Sequence, residues 1–206
     1  MTKNDVVQPA PAKPRTQAVR RAETERRLLE AALDLIAQSG SRSMSTAAVG
    51  AAAGYSRGIV THQFGSKKEL LRRAVEYSQA LVDVSPQAAG LDWILELVDR
   101  YLSTAGEGRT ATSAFLLMWG EAVANDDNVR DVYIERDNWF RSQIAAAVQE
   151  GVSQGVVRGD VDADAFAYLL VAVLRGSVLQ LLLSRDAGIV TRLRSECAAM
   201  VRHHLS

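Results

Sequence analysis

Apolar residues recur at helical spacing along nearly the whole chain and never settle into strict alternation with polar ones. The sequence therefore predicts an all-α fold of about nine helices with no internal repeat. Leu28, Ala31, Ala32, Leu35 and Ile36 form the stripe of a helix over 17–39 that Gly40 stops. Ser45 is a good cap for a short second helix striped by Val49, Ala52 and Ala53. Gly50 leaves room for a crossing helix, and Gly54 suits the left-handed backbone that ends one. A third short helix runs from about Arg57 to Phe64, with Ile59, Val60 and Phe64 expected to pack inward. Ser66 and Glu69 read as a capping box for a fourth helix over 66–82, whose apolar face is Leu70, Leu71, Ala74 and Val75. Pro86 and Gly90 then break the pattern. Five more helices follow, over about 91–105, 110–124 and 128–154, from Asp160 or Asp162 to Ser184, and over 189–205. Gly106-Glu107-Gly108, Asn125-Asp126-Asp127 and Gly155 separate them.

Two short helices joined by a Gly-containing turn are a helix-turn-helix, the unit that lays its second helix in the major groove of DNA. Charge supports a double-stranded DNA partner. The net formal charge is zero, but residues 1–78 carry 13 Lys and Arg against 7 Asp and Glu, whereas 79–206 carry 11 against 17. That asymmetry is expected when one half meets phosphate and the other does not. Three segments follow: a disordered basic arm over 1–16, a reading domain over 17–82, and a second helical domain over 88–206.

Arg57 opens the reading helix, where its fork matches either the O6/N7 edge of guanine or a phosphate. Thr61, His62 and Gln63 are expected to face outward. Thr61 suits a thymine methyl or a phosphate, Gln63 adenine or a phosphate, and His62 either DNA or plain solvent. Ser45, Tyr55, Ser56 and Lys67 complete the expected DNA-binding set, with Tyr55 and Lys67 on the backbone. Arg15, Arg20 and Arg21 in the arm follow the minor groove or add nonspecific charge.

The run Gly54-Tyr55-Ser56-Arg57-Gly58, followed by Phe64-Gly65-Ser66-Lys67-Lys68-Glu69-Leu70-Leu71, resembles the N-terminal domain of the tetracycline-repressor (TetR) family of regulators. The specific likeness covers the first 80 residues. One departure is Thr61, which stands where the family often has a phosphate-touching Tyr. The resemblance implies a ligand-responsive regulator, with a second domain that binds a small effector and shifts the fourth helix off the operator. It also implies effector walls at Tyr101, Phe115, Met118, Trp119 and Trp139, with Glu121, Asn138 and Gln143 as polar anchors; each of these also reads as ordinary core or surface.

The helix ending at Ser184 is apolar on all sides, so it must be buried on all sides. A membrane span is not expected, because Arg175, Gly176, Ser177 and Gln180 interrupt it and a central Arg costs about 2.5 kcal/mol or more. A second copy of the chain would cover it, giving a homodimer interface at Leu170, Leu174, Gly176, Ser177, Gln180 and Leu181. A dimer implies a near-palindromic operator, with repression favoured because occupancy alone blocks polymerase.

Enzyme chemistry finds no support. The three histidines, His62, His203 and His204, lack metal-ligand spacing, and no phosphate loop or nucleophile elbow is present. Asp160, Asp162 and Asp164 are an N-cap cluster rather than a calcium loop. No cofactor is expected. The lone Cys197 reads as a small buried hydrophobe, and the absence of an apolar leader leads us to expect a cytoplasmic protein. The remaining alternative is an all-helical ligand-binding adaptor without sequence-specific DNA binding.

Overall fold

A computed structural model describes residues 16–80, 89–107, 109–124, 129–184, 186 and 188–206. The arm before Thr16, including Arg15, lies outside the described residues, as do Pro86, Gly108 and the break at Asn125-Asp126-Asp127. Among the described residues there are nine helices and no strand. They are α1 (Gln17–Ser43), α2 (Thr46–Ala53), α3 (Arg57–Phe64), α4 (Lys67–Ala80), α5 (Gly90–Glu107), α6 (Arg109–Val123), α7 (Arg130–Ser153), α8 (Ala163–Leu183) and α9 (Ile189–Leu205).

Local chemistry sets the ends. Thr16 caps α1 by accepting from the Val19 amide at 3.3 Å, so Arg20 and Arg21 ride on the first turns of this helix rather than in an arm. Ser45 Oγ accepts from Ala48 N at 3.1 Å, and Asp162 Oδ1 from Ala165 N at 3.0 Å. Gly54 ends α2 at φ 77°. The capping box before α4 forms only in half. Glu69 N donates to Ser66 Oγ at 3.1 Å, but the Ser66 amide goes to Phe64 O and the Glu69 carboxylate is taken by Arg72. Gly40, at φ 78° and ψ 165°, breaks α1 without ending it, and a last turn resumes at Ser41.

α1 packs across α2, α4 and α6, while α5 is flanked by α7, α8 and α9. One continuous apolar core runs through both groups, from Leu28 and Ile36 to Leu102, Ile144 and Leu174. α8 is long and apolar enough to cross a membrane by length and composition. Arg175 stands within it, however, buried and ion-paired, and the surrounding turns pack on α5 and α7.

Candidate functional site

α2 and α3 cross at Gly50. A Cβ there would lie 3.0 Å from Tyr55 O and 3.1 Å from Ser56 O, so a side chain would push the turn away. α3 is only two turns long, and it buries one i, i+4 pair, Val60 and Phe64. The opposite face, with Arg57, Thr61 and His62, is exposed. Ile59 belongs to that outer face at 39 % exposure, against the expectation that it packs inward, because two turns against α2 accommodate a single stripe. Thr61 Oγ1 donates back to Arg57 O at 3.2 Å.

Three of the expected DNA residues reach across to partners on α1. Gln63 Nε2 donates to Glu25 Oε2 at 3.1 Å, and Glu25 also holds Arg73 of α4. The Tyr55 hydroxyl lies 3.4 Å from Thr24 Oγ1. Lys67 Nζ donates to Arg42 O at 3.0 Å, which ties the start of α4 to the end of α1. Ser45 is exposed but spends its oxygen on the α2 cap, and Ser56 is exposed.

The end of α1 is joined to α6 through Glu121. Its carboxylate accepts from Ser41 N at 3.0 Å and from Ser41 Oγ, and Ser41 is almost wholly buried. A Cβ on Gly40 would come within 2.7 Å of Glu121 Oε1, so glycine serves both the backbone angle and the approach of the carboxylate. Glu121 thus serves as a structural joint between α1 and α6. α4 meets α7 across a cleft of about 180 Å³ lined by Arg72, Val75, Glu76, Val132, Arg136 and Trp139. Trp139 stands there at 48 % exposure under Arg136, 4.0 Å from its ring centre, instead of walling an interior pocket. Gln143 is exposed, and Asn138 accepts from Arg141 at 2.7 Å.

The other expected wall residues do converge. Their centre is Arg175 of α8, only 5 % exposed. Its guanidinium makes a bidentate pair with Asp137 of α7, with Nη1 donating to Oδ2 at 2.7 Å and Nη2 to Oδ1. Phe115 and Trp119 present their rings 5.6 and 5.4 Å from its carbon, and the Tyr101 hydroxyl lies against it. Tyr133 donates to Phe115 O at 2.6 Å, and Met118 is fully buried. Burial pushes the Tyr101 and Tyr133 phenols up, keeping both protonated donors, although the Arg175 charge opposes the shift. Burial is the largest single effect and disfavours the charged Arg175, but the Asp137 hydrogen bonds and charge, together with Tyr101, outweigh it and its pKa is raised. Sequence reasoning took Arg175 only as an interruption. A lone Arg within an apolar run demands a buried acid, and that signal was available.

α8 is two-faced. Leu170, Leu174 and Leu181, expected at an interface, are buried in the chain's own core instead of lying on its surface. Gly176 and Ser177 are half-buried and Gln180 is exposed. The outward stripe is Tyr168, Leu169, Ala172, Leu179 and Leu183, with Tyr168 61 % and Leu183 80 % exposed.

A crossed helix pair with one outward face, set on a larger helical body, defines a helix-turn-helix regulator. Comparison with known proteins makes the class specific. Residues 28–74 match the family described as bacterial regulatory proteins of the tetR family, and residues 90–206 match the C-terminal region of BetI-type transcriptional repressors. The chain belongs to the TetR family of DNA-binding transcriptional regulators, and is not an enzyme. It is 28 % identical over 204 residues to the HTH-type transcriptional regulator CymR of Pseudomonas putida, covering 92 % of this chain and 95 % of that one. A TetR-family regulator from Rhodococcus sp. superposes with a TM-score of 0.78 at 20 % identity, over 90 % of this chain and all (100 %) of that one. A transcriptional regulator from Saccharomonospora viridis, solved in complex with choline, gives a TM-score of 0.69 at 28 % identity, over 89 % of this chain and 98 % of that one.

Proposed function

We propose that the chain is a homodimeric, cytoplasmic repressor that binds a near-palindromic operator through α3 and is released by a small effector held in the C-terminal domain. In this reading the DNA-reading unit is residues 17–82 and the effector and dimer unit is 88–206. The observation that carries it is the outward face of α3, with Arg57, Thr61 and His62 exposed on a helix locked by Gly50 and Phe64. The apolar stripe of α8 supports the dimer, since a contiguous row of large exposed apolar side chains marks an interface. Gly176, Ser177 and Gln180 belong to its flanks. Tyr101, Phe115, Met118 and Trp119 around Arg175 are the effector walls. The choline-bound relative supports a small-molecule effector in this branch of the family.

The route from effector to DNA is short. Asp137, which holds Arg175, shares α7 with Arg136 and Trp139, and these line the cleft against Arg72 and Glu76 of α4. A ligand that draws α7 toward α8 changes what α4 packs against, and Arg73 of α4 is bonded through Glu25 to Gln63 of α3.

The test is fluorescence anisotropy on the DNA upstream of the chain's own gene and on a scrambled duplex, across a salt series. Arg57→Ala should lose about 1–3 kcal/mol on the cognate duplex alone if it reads a base. Lys67→Ala should lower the salt slope by about 1 if the ammonium, which keeps its charge and two donors beyond the Arg42 carbonyl, reaches phosphate; an unchanged slope would leave Lys67 only its tie to the end of α1. Equal binding of both duplexes would reject sequence-specific reading of that DNA.

A further inference from the structure

The Arg175 guanidinium carries five N–H donors, and Asp137 takes one from each terminal nitrogen, end-on. A further N–H of the guanidinium meets the Tyr101 hydroxyl, and the edge beside the Asp137 pair is made of Nε–H and an Nη2–H that point the same way. Nε is buried and has no hydrogen-bond partner. A buried unpaired donor on a charged group is costly, and folded proteins rarely leave one without a use. Asp137 is moreover a single carboxylate shared between two guanidiniums, since Arg141 Nη1 approaches its Oδ2 at 3.8 Å. Glu121, on α6, is occupied by Ser41.

The surroundings fix the rest of the ligand. Phe115 and Trp119 flank the guanidinium, and the Tyr101 ring is stacked on Phe140 at 6.3 Å. A quaternary ammonium ligand requires open aromatic faces. Here two of those faces already see a cation, and a second cation beside Arg175 would be repelled.

We propose that this cluster is an anion subsite. The unpartnered Nε–H edge of Arg175, with the Tyr101 hydroxyl beside it, binds the carboxylate of an apolar or aromatic carboxylic acid whose hydrocarbon part lies against Phe115 and Trp119. The ligand class is therefore opposite in charge to the choline carried by the Saccharomonospora viridis relative. The inference rests on the reading that the C-terminal domain takes an effector, and it names what that effector is.

Calorimetric titration of the full chain tests it, with acetate, hexanoate, benzoate and 3-phenylpropanoate, the amide of each, and choline. At least one carboxylate should bind about tenfold or more tightly than its amide, with choline weaker than either. Asp137→Asn, which leaves Arg175 without its counter-ion, should tighten that carboxylate by about tenfold. Arg175→Lys keeps a cation for Asp137 but loses the fork edge, and should weaken it by a similar factor without unfolding the protein, as checked by circular dichroism. The proposal is overturned if no carboxylate is preferred over its amide anywhere in the panel, or if choline binds better than all of them. It is equally overturned if Arg175→Lys folds and binds the carboxylate unchanged. DNA release is read separately by anisotropy. Carboxylate binding without release upholds the anion subsite and removes the effector reading. Release by choline or an amide, with no carboxylate binding, keeps the effector reading and overturns the subsite.

Discussion

Replacing Glu121 by Ala should be among the costlier single changes outside the apolar core. The carboxylate accepts two hydrogen bonds from Ser41, one from the amide and one from the hydroxyl, and Ser41 is 1 % exposed. Truncation leaves both donors buried with nothing to accept them. A hydrogen bond to a charged acceptor contributes roughly 1.5–3 kcal/mol, and a buried donor left unmade costs roughly 1–3 kcal/mol. Water entering beside the half-buried Glu121 recovers part of this, so the expected loss is about 2–4 kcal/mol rather than the full sum. Glu121→Gln keeps the shape and one good acceptor while the hydroxyl turns to accept from the amide, so it should lose only about 1 kcal/mol. The assay is urea unfolding followed by far-ultraviolet circular dichroism, at one fixed protein concentration because assembly shifts the midpoint. Both variants should move the midpoint with an unchanged slope. An Ala variant within about 0.5 kcal/mol of the parent would refute the reasoning, as would a Gln variant as damaging as Ala.

Two more outcomes follow from burial and charge. Leu179→Glu, on the outward stripe of α8, should convert the proposed dimer to monomer in sedimentation velocity, while Leu170→Ala should leave assembly intact and lower stability by about 2–5 kcal/mol. The Glu69 carboxyl is held below its ordinary value first by its hydrogen bond from Arg72, opposed by slight burial. A depressed folded value contributes stability that is complete above the unfolded value near 4.5 and is lost as pH falls through the folded value. Glu69→Gln should therefore trail the parent by a small margin at pH 6, about 0.5 kcal/mol for so exposed a pair, and match it once the parent's own carboxyl protonates; a gap that persists at pH 2 would contradict this.

Most helix positions were legible because the chain marks them with caps and glycines: Ser45, Gly54 and Asp162 act within a few bonds of themselves. What a side chain faces is a different matter. α8 is apolar on all sides, and periodicity alone does not say which side a chain keeps for itself. The structure gives Leu170, Leu174 and Leu181 to the core and leaves Leu179 and Leu183 outside. Ile59 fails for the same reason, since a two-turn helix has room to bury only Val60 and Phe64. The capping-box spacing pairs Glu69 with Ser66, three residues back, yet Arg72 lies three residues forward and offers its carboxylate a charged donor instead. The Arg175–Asp137 pair joins positions far apart in sequence, and Glu121 reaches Ser41 across 80 residues. Such partners are set by how α6, α7 and α8 stack, which no local rule encodes.

The break at Gly40 has a mechanical meaning. From there to Thr24, where α1 touches Tyr55 beside the reading helix, runs an unbroken helical rod about 25 Å long. Its inner end is seated in α6 through Ser41 and Glu121, and its outer end holds α3 through Thr24 and Glu25. A tilt of about 8° at the seat swings the outer end by about 3.5 Å, close to one step along a DNA strand. With α3 on DNA as proposed, a lever of that length would turn a small tilt at the seat into about a base step of displacement at the reading helix.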